Sequence, residues 1–182
     1  MQKESANNYY KPAEDTLFFA EHLQNEKGRT ALDIGTGSGF LAQVLSKNFE
    51  LVVATDTDLK ALKKAHESIE NCICCNAADA LTAIFDLVVC NLPYLPSDEV
   101  ADPAVDGLRD GVEIPIKILS SANKAIGNKG KLIFITSSLA NYNELIKQTQ
   151  LLGLSTKIIA SKKLFFEELI LVEGTRKMHK DD

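Results

Sequence analysis

Lys and Arg nowhere form a face-defining run in this sequence, and acids outnumber them: 20 basic against 25 acidic side chains, a formal net charge of −5. A protein that gripped long nucleic acid through its phosphates would show a basic surplus, so the balance argues against a nucleic-acid partner. Long apolar runs are missing too. Met1–Asn8 is polar, and no stretch approaches the roughly 20 apolar residues that span a bilayer, so no membrane is expected and the cytoplasm is the expected compartment. The cysteines do not complete a zinc site. Cys72 and Cys75 make a C-x-x-C, but no second pair or His-x-His follows, so no metal is expected. Cys72, Cys74, Cys75 and Cys90 lie in apolar, strand-like surroundings and read as buried structural thiols. Neither an internal repeat nor a second domain is visible. The 182 residues suit a single core over residues 1–174, with 175–182 as a frayed charged tail.

What is present is an alternation. Pro12 opens a helical pattern whose acids Glu14 and Asp15 suit the positive helix end and whose Leu17, Phe18 and Leu23 share a face. A strand, Thr30–Ile34, runs into Asp33-Ile34-Gly35-Thr36-Gly37-Ser38-Gly39, and a helix with Leu41, Val44 and Leu45 inward follows. Leu51–Thr55 is the second strand and ends on Asp56; Asp58 is placed to cap a helix carrying Leu62, Ala65 and Ile69. Cys72–Asn76 and Phe85–Cys90 are the third and fourth strands, the fourth stopping at Asn91-Leu92-Pro93-Tyr94. A stretch rich in Pro, Asp and Gly from Leu95 to Gly111 reads as a functional loop, because structureless loops of that length are uncommon.

A helix from about Glu113, a strand Lys131–Thr136 and a helix Asn141–Leu152 come next. Thr156–Ala160 and Glu167–Val172 have no helix between them and should pair antiparallel. Strand and helix thus alternate five times before a closing hairpin, which predicts an α/β fold: a mostly parallel sheet with helices on both faces. Such sheets bind ligands beyond the carboxyl ends of their strands.

The first and fourth strands end in unusual residues, and the chemistry is expected there. Gly35, Gly37 and Gly39 let backbone approach a ligand closely. Their spacing is G-x-G-x-G rather than the dinucleotide G-x-G-x-x-G, and Asp33 precedes them. A carboxylate there repels phosphate but suits an ammonium or sulfonium. Asp56 is spaced to accept hydrogen bonds from ribose hydroxyls, and Asp79 is a candidate for an adenine amino group. A nitrogen that accepts a methyl needs its lone pair presented, which acceptors for its protons achieve. The Asn91 side-chain oxygen and the Leu92 carbonyl could be those acceptors, with Pro93 stiffening the turn and Tyr94 packing on a flat amide or base.

With these residues in place, the chain resembles the class I, Rossmann-like methyltransferases of the HemK type, which methylate glutamine in translation release factors. The resemblance runs from about Tyr10 to Val172. The family's N-P-P-Y is matched by Asn91, Pro93 and Tyr94, with Leu92 departing. Tyr10-Lys11-Pro12-Ala13-Glu14-Asp15-Thr16 is similar to the Y-x-P-A-E-D-T of the short archaeal and eukaryotic branch, where Thr16 matches a cofactor-contacting position. Gly107-Leu108-Arg109-Asp110-Gly111-Val112-Glu113 is similar to that branch's G-G-R-x-G-R-E, with Val112 replacing Arg. The extra domains of bacterial HemK proteins and of RNA adenine dimethyltransferases are not seen, which also points to the short branch.

The resemblance implies a seven-stranded sheet, S-adenosylmethionine as cofactor, and a release factor as substrate. It also implies a small zinc-binding activator along the third-strand edge. Asn91 would touch both cofactor and acceptor, Arg109 and Glu113 would shape the substrate loop, and positioning rather than a general base would carry the rate. Two other readings stand beside it: methylation of an adenine amine in RNA or DNA, and a non-catalytic cofactor-binding subunit.

Overall fold

The computed structural model describes residues 13–177. In chain order the elements begin with α1 (Glu14–Leu23), β1 (Gly28–Ile34), α2 (Phe40–Leu45), β2 (Phe49–Asp56), α3 (Leu59–Ala65), β3 (Asn71–Cys74) and β4 (Phe85–Asn91). Two very short strands follow, β5 (Leu95–Pro96) and β6 (Asp106–Leu108), then one turn of 3-10 helix at Arg109–Gly111. The chain closes with α4 (Glu113–Lys124), β7 (Ile126–Ser137), α5 (Tyr142–Leu151), β8 (Leu154–Lys163) and β9 (Glu168–Arg176).

Seven strands form one sheet in the order β3-β2-β1-β4-β7-β9-β8. All neighbours up to β7 pair parallel, while β9 pairs antiparallel with both β7 and β8. This is the expected architecture, and its cause is visible in β4. Successive side chains of a strand point to opposite faces, and here both sets are apolar. Leu87 and Val89 join a cluster with Phe18, Phe19 and Leu23 of α1 and Leu41 and Leu45 of α2. Val88 and Cys90 join another with Leu119 and Ala122 of α4 and Leu145 of α5. A strand buried on both faces needs helices on both faces.

Cys75–Ile84 crosses from β3 to β4 by turns, pinned where Ser121 Oγ accepts from Ala78 N at 3.1 Å. Two details differ from the expectation. The Leu95–Gly111 stretch is not structureless: Leu95 N donates to Val105 O at 2.8 Å, and β5 and β6 pair. The last strand, expected over Glu167–Val172 with a frayed tail after Gly174, continues through Arg176, whose guanidinium donates to Asn123 O at 2.7 Å and to Asn123 Oδ1 at 2.9 Å. Residues 10–12 of the Tyr10–Thr16 segment that carries the resemblance lie outside the described residues.

Candidate active site

Register brings the unusual residues together. Ile34 lies opposite Thr55 and Cys90, and Asn91 opposite Ile135, so the ends of β1, β2, β4 and β7 form one rim. A cavity of about 740 Å³ opens there, lined among others by Thr16, Gly35, Gly37, Asp56 and Asn91.

The glycine loop turns its backbone inward. Gly35 N and Thr36 N both donate to Thr55 O at 2.9 Å, Gly37 N donates to Asp56 Oδ2 at 2.8 Å, and Gly39 N donates to Thr36 O. A phosphate cradle needs such amides aimed at the ligand; these are already satisfied. Gly35 and Gly37 have φ of +69° and +54°, and a Cβ on either would meet no protein atom within 4 Å. The cavity space at both positions is thus open to a ligand. Four aspartates (Asp56, Asp58, Asp102, Asp106) and one lysine, Lys117, are the charged residues of the lining. Such a wall repels phosphates and suits a ligand that is cationic and rich in donors.

Asp33 supports this loop from behind. It is buried and absent from the lining; its Oδ2 accepts from Thr36 Oγ1 at 2.7 Å and from Ala42 N at 3.1 Å. Its Oδ1 has no hydrogen-bond partner among the described residues. Burial foremost, with a smaller push from the nearby Asp56 charge, lifts the carboxyl to about 6 against the two hydrogen bonds that favour its ionised form.

At the end of β4, Asn91 Nδ2 donates to Thr16 Oγ1 at 3.2 Å and to Asp15 Oδ2 at 3.4 Å. The amide group is thereby oriented, and no described residue donates to its Oδ1. Leu92 and Pro93 are buried, so the turn is fixed. The Leu95–Gly111 strap grows from it: a Cβ at Gly107 would come within 2.6 Å of Pro93 O, and one at Gly111 within 2.1 Å of Tyr94 O. Asp106 Oδ2 accepts from the amides of Ala101 and Asp102, which folds the strap tip over the cavity.

Comparison with known proteins bears on this arrangement. The family model described as the methyltransferase small domain matches residues 11–165. The chain belongs to the methyltransferase small domain family. It is 29% identical over 180 residues to a Methanocaldococcus jannaschii protein to which protein N5-glutamine methyltransferase activity is ascribed, covering 92% of this chain and 91% of that one. A release factor glutamine methyltransferase of Bradyrhizobium diazoefficiens is 32% identical over 136 residues, 63% of this chain; the match spans about half, 46%, of that protein. The fold also resembles a solved Mtq2–Trm112 complex of E. cuniculi, responsible for methylating the eRF1 translation termination factor. There the TM-score is 0.78 at 24% identity, over 92% of this chain and 98% of that one.

In this methyltransferase small domain the methyl donor is S-adenosylmethionine, and the site fits it. Inward-turned amides, open glycine positions and an acidic wall are what a sulfonium-bearing, phosphate-free nucleoside requires. Thr16, Gly35, Gly37, Asp56, Asn91 and Pro93 are the expected residues that reach the cavity wall. Others do not. Asp79 is exposed and accepts from Ser121 Oγ at 2.5 Å and Asn76 Nδ2 at 2.7 Å, which holds its carboxyl below the usual range and clamps the β3–β4 connection to α4. Gly39, with φ +83°, makes room for Ala65 of α3 instead of for ligand. The Tyr94 hydroxyl turns to Asp15 Oδ2 at 3.5 Å, outside the cavity lining; burial foremost, then the charges of Asp15 and Glu167, push it above the usual phenol range. Arg109 is exposed, and Glu113 pairs with Lys117 at 3.0 Å.

Of the cysteines, Cys90 is buried as expected, whereas Cys74 is exposed because β3 is an edge strand. Among the described residues no group of three His, Cys, Asp or Glu could hold a metal, and no helix is long and apolar enough to cross a membrane. The sequence reading missed Ile114, Lys117 and Ile118, which bring α4 to the cavity. Their spacing of three and four was the available signal.

Proposed function

We propose that this chain methylates the side-chain amide nitrogen of a glutamine in a translation release factor, in the cytoplasm. The observation that carries the reading is the Asn91 amide, oriented by Thr16 and Asp15 at the wall of the donor cavity. Its Oδ1 and the Leu92 carbonyl accept the two N–H bonds of an incoming primary amide and fix which face meets the donor. When bound, S-adenosylmethionine supplies an electrophilic methyl group on its sulfonium. An amide nitrogen is a poor nucleophile, so orientation and exclusion of water are the chain's main contributions. His22 and His66 are bonded to the carbonyls of Phe18 and Ile69, away from the cavity, and serve no base role. Thr16, Gly35, Gly37 and Asp56 hold the donor; Asp33 and Gly39 set the loop that does so. Tyr94 stiffens the acceptor turn through Asp15, Arg109 belongs to the strap that meets the substrate, and Glu113 opens the α4 helix that follows it.

The same reading gives the chain a small zinc-binding partner on the outer edge of β3. Support comes from that strand's unpaired edge and from the complex in which the similar E. cuniculi protein was solved. The test is a transfer assay with labelled donor, offering a recombinant release factor and, separately, adenine-containing RNA and DNA, with and without such a partner. Label on a release-factor glutamine is the expected result; label only on nucleic acid would overturn the substrate while leaving the donor site.

A further inference from the structure

The turn between β8 and β9 reads Leu164-Phe165-Phe166-Glu167, and its two phenylalanines are 92% and 84% exposed. Tight turns favour small polar residues, and contiguous exposed aromatics mark interaction sites. This pair is held out rather than frayed. Leu164 packs into the core, its N–H donates to Glu167 O at 2.7 Å, and the two rings meet edge to face with centroids 4.6 Å apart.

Register fixes where the turn stands. Leu169 of β9 lies opposite Ser137, the last residue of β7, so the tip rises beyond the carboxyl ends of the parallel strands, on the rim that carries Asn91. Two connections tie it there. Ser138 N donates to Glu168 O at 2.8 Å, and Glu168 N donates to Ser138 Oγ at 2.9 Å. Lys162 reaches Glu14 at 3.9 Å, one residue before the Asp15 that helps to hold Asn91. Leu139, which follows Ser138 in the chain, is 44% exposed, and Ala140 lies against the strap base at Gly111. Within the turn, Glu167 Oε2 is buried without a partner among the described residues, and its charge bears on the Tyr94 hydroxyl.

We propose that the Phe165–Phe166 tip is a docking ridge for the polypeptide flanking the methyl-accepting glutamine, gripping an apolar side chain near it. The inference rests on the function proposed above. The cavity holds the donor, so a protein acceptor must come in over the strand ends, and among the described residues Phe165 and Phe166 are the most exposed large apolar side chains. Because neither phenylalanine lines the cavity, the ridge contributes to acceptor affinity and leaves donor binding alone.

Steady-state transfer to a recombinant release factor by the full chain, with its partner if activity requires one, tests this. Phe165→Ser/Phe166→Ser should raise KM for the release factor by about tenfold or more, with kcat and donor affinity held. Phe165→Tyr/Phe166→Tyr should stay near the parent. Circular dichroism checks the fold, and the single Ser variants serve if the double one misfolds. An unchanged KM overturns the ridge while the function stands. Concentration-dependent self-association that the Ser variants abolish, with KM unchanged, overturns it in favour of a second copy. A parent chain that fails to label the release factor brings down the function and the ridge together.

Discussion

Asn91 and Asp33 are both polar residues at strand ends, but the structure gives them opposite tasks. Asn91 lines the cavity, so under the proposed function Asn91→Ala removes an acceptor for the substrate and leaves the glycine loop untouched. Transfer should fall by about 100-fold or more while donor affinity stays within a few-fold, measured by single-turnover kinetics and calorimetry. Asp33 is sealed behind the loop. Because burial raises its folded pKa to about 6 from 3.8, the folded state holds the Asp33 proton more tightly than the unfolded one. Its contribution to stability is full below pH about 4 and is lost as pH rises through about 6. The shift corresponds to about 3 kcal/mol at most. Urea unfolding from pH 4 to 7 should show the parent losing stability relative to Asp33→Asn over that window. A flat difference would mean that Asp33 titrates normally. Both residues were legible in the sequence as site residues, but their division of labour was not, because it depends on which way each side chain faces.

At the scale of elements, glycine separates turns that tolerate a side chain from turns that do not. Gly111 and Gly153 both have positive φ, at +67° and +91°. Nothing lies within 4 Å of a Cβ added to Gly153, whereas one at Gly111 would run into Tyr94 O. Gly153→Ala should therefore cost only left-handed strain, about 1–2 kcal/mol. Gly111→Ala should cost more and also depress transfer, since it pushes the strap off the acceptor turn; thermal unfolding and turnover of the two variants decide it. The strands and the caps were readable from period and residue type, and Asp58 indeed accepts from Lys60 N at 2.8 Å at the start of α3. The paired β5 and β6 were not. That pairing depends on Gly107 and Gly111 closing onto the Pro93 and Tyr94 carbonyls, a packing contact that no residue period or cap announces.

For the whole molecule, the sheet leaves β3 as one of its two edges. Cys75 N donates inward to Asp56 O at 3.0 Å, so alternation turns the N–H of Cys74 outward. Cys74→Pro would delete an edge donor without breaking the ladder to β2. The isolated chain should fold and bind donor as before, while association with a β3-edge partner weakens, as gel filtration of the co-expressed pair would show. Undiminished association would remove the partner from this edge.

The sequence by itself determined the alternating α/β plan, the closing hairpin, the glycine loop after the first strand and the Asn91–Tyr94 turn after the fourth. Each of these is written in local periodicity, in turn chemistry or in a short contiguous motif. Only the tertiary structure decided that Asp33 and Asp79 brace rather than line the cavity, that α4 supplies its far wall, and that two phenylalanines stand on the catalytic rim. Those facts depend on the direction of side chains and on strand order, which couple residues far apart in the chain and leave no local trace.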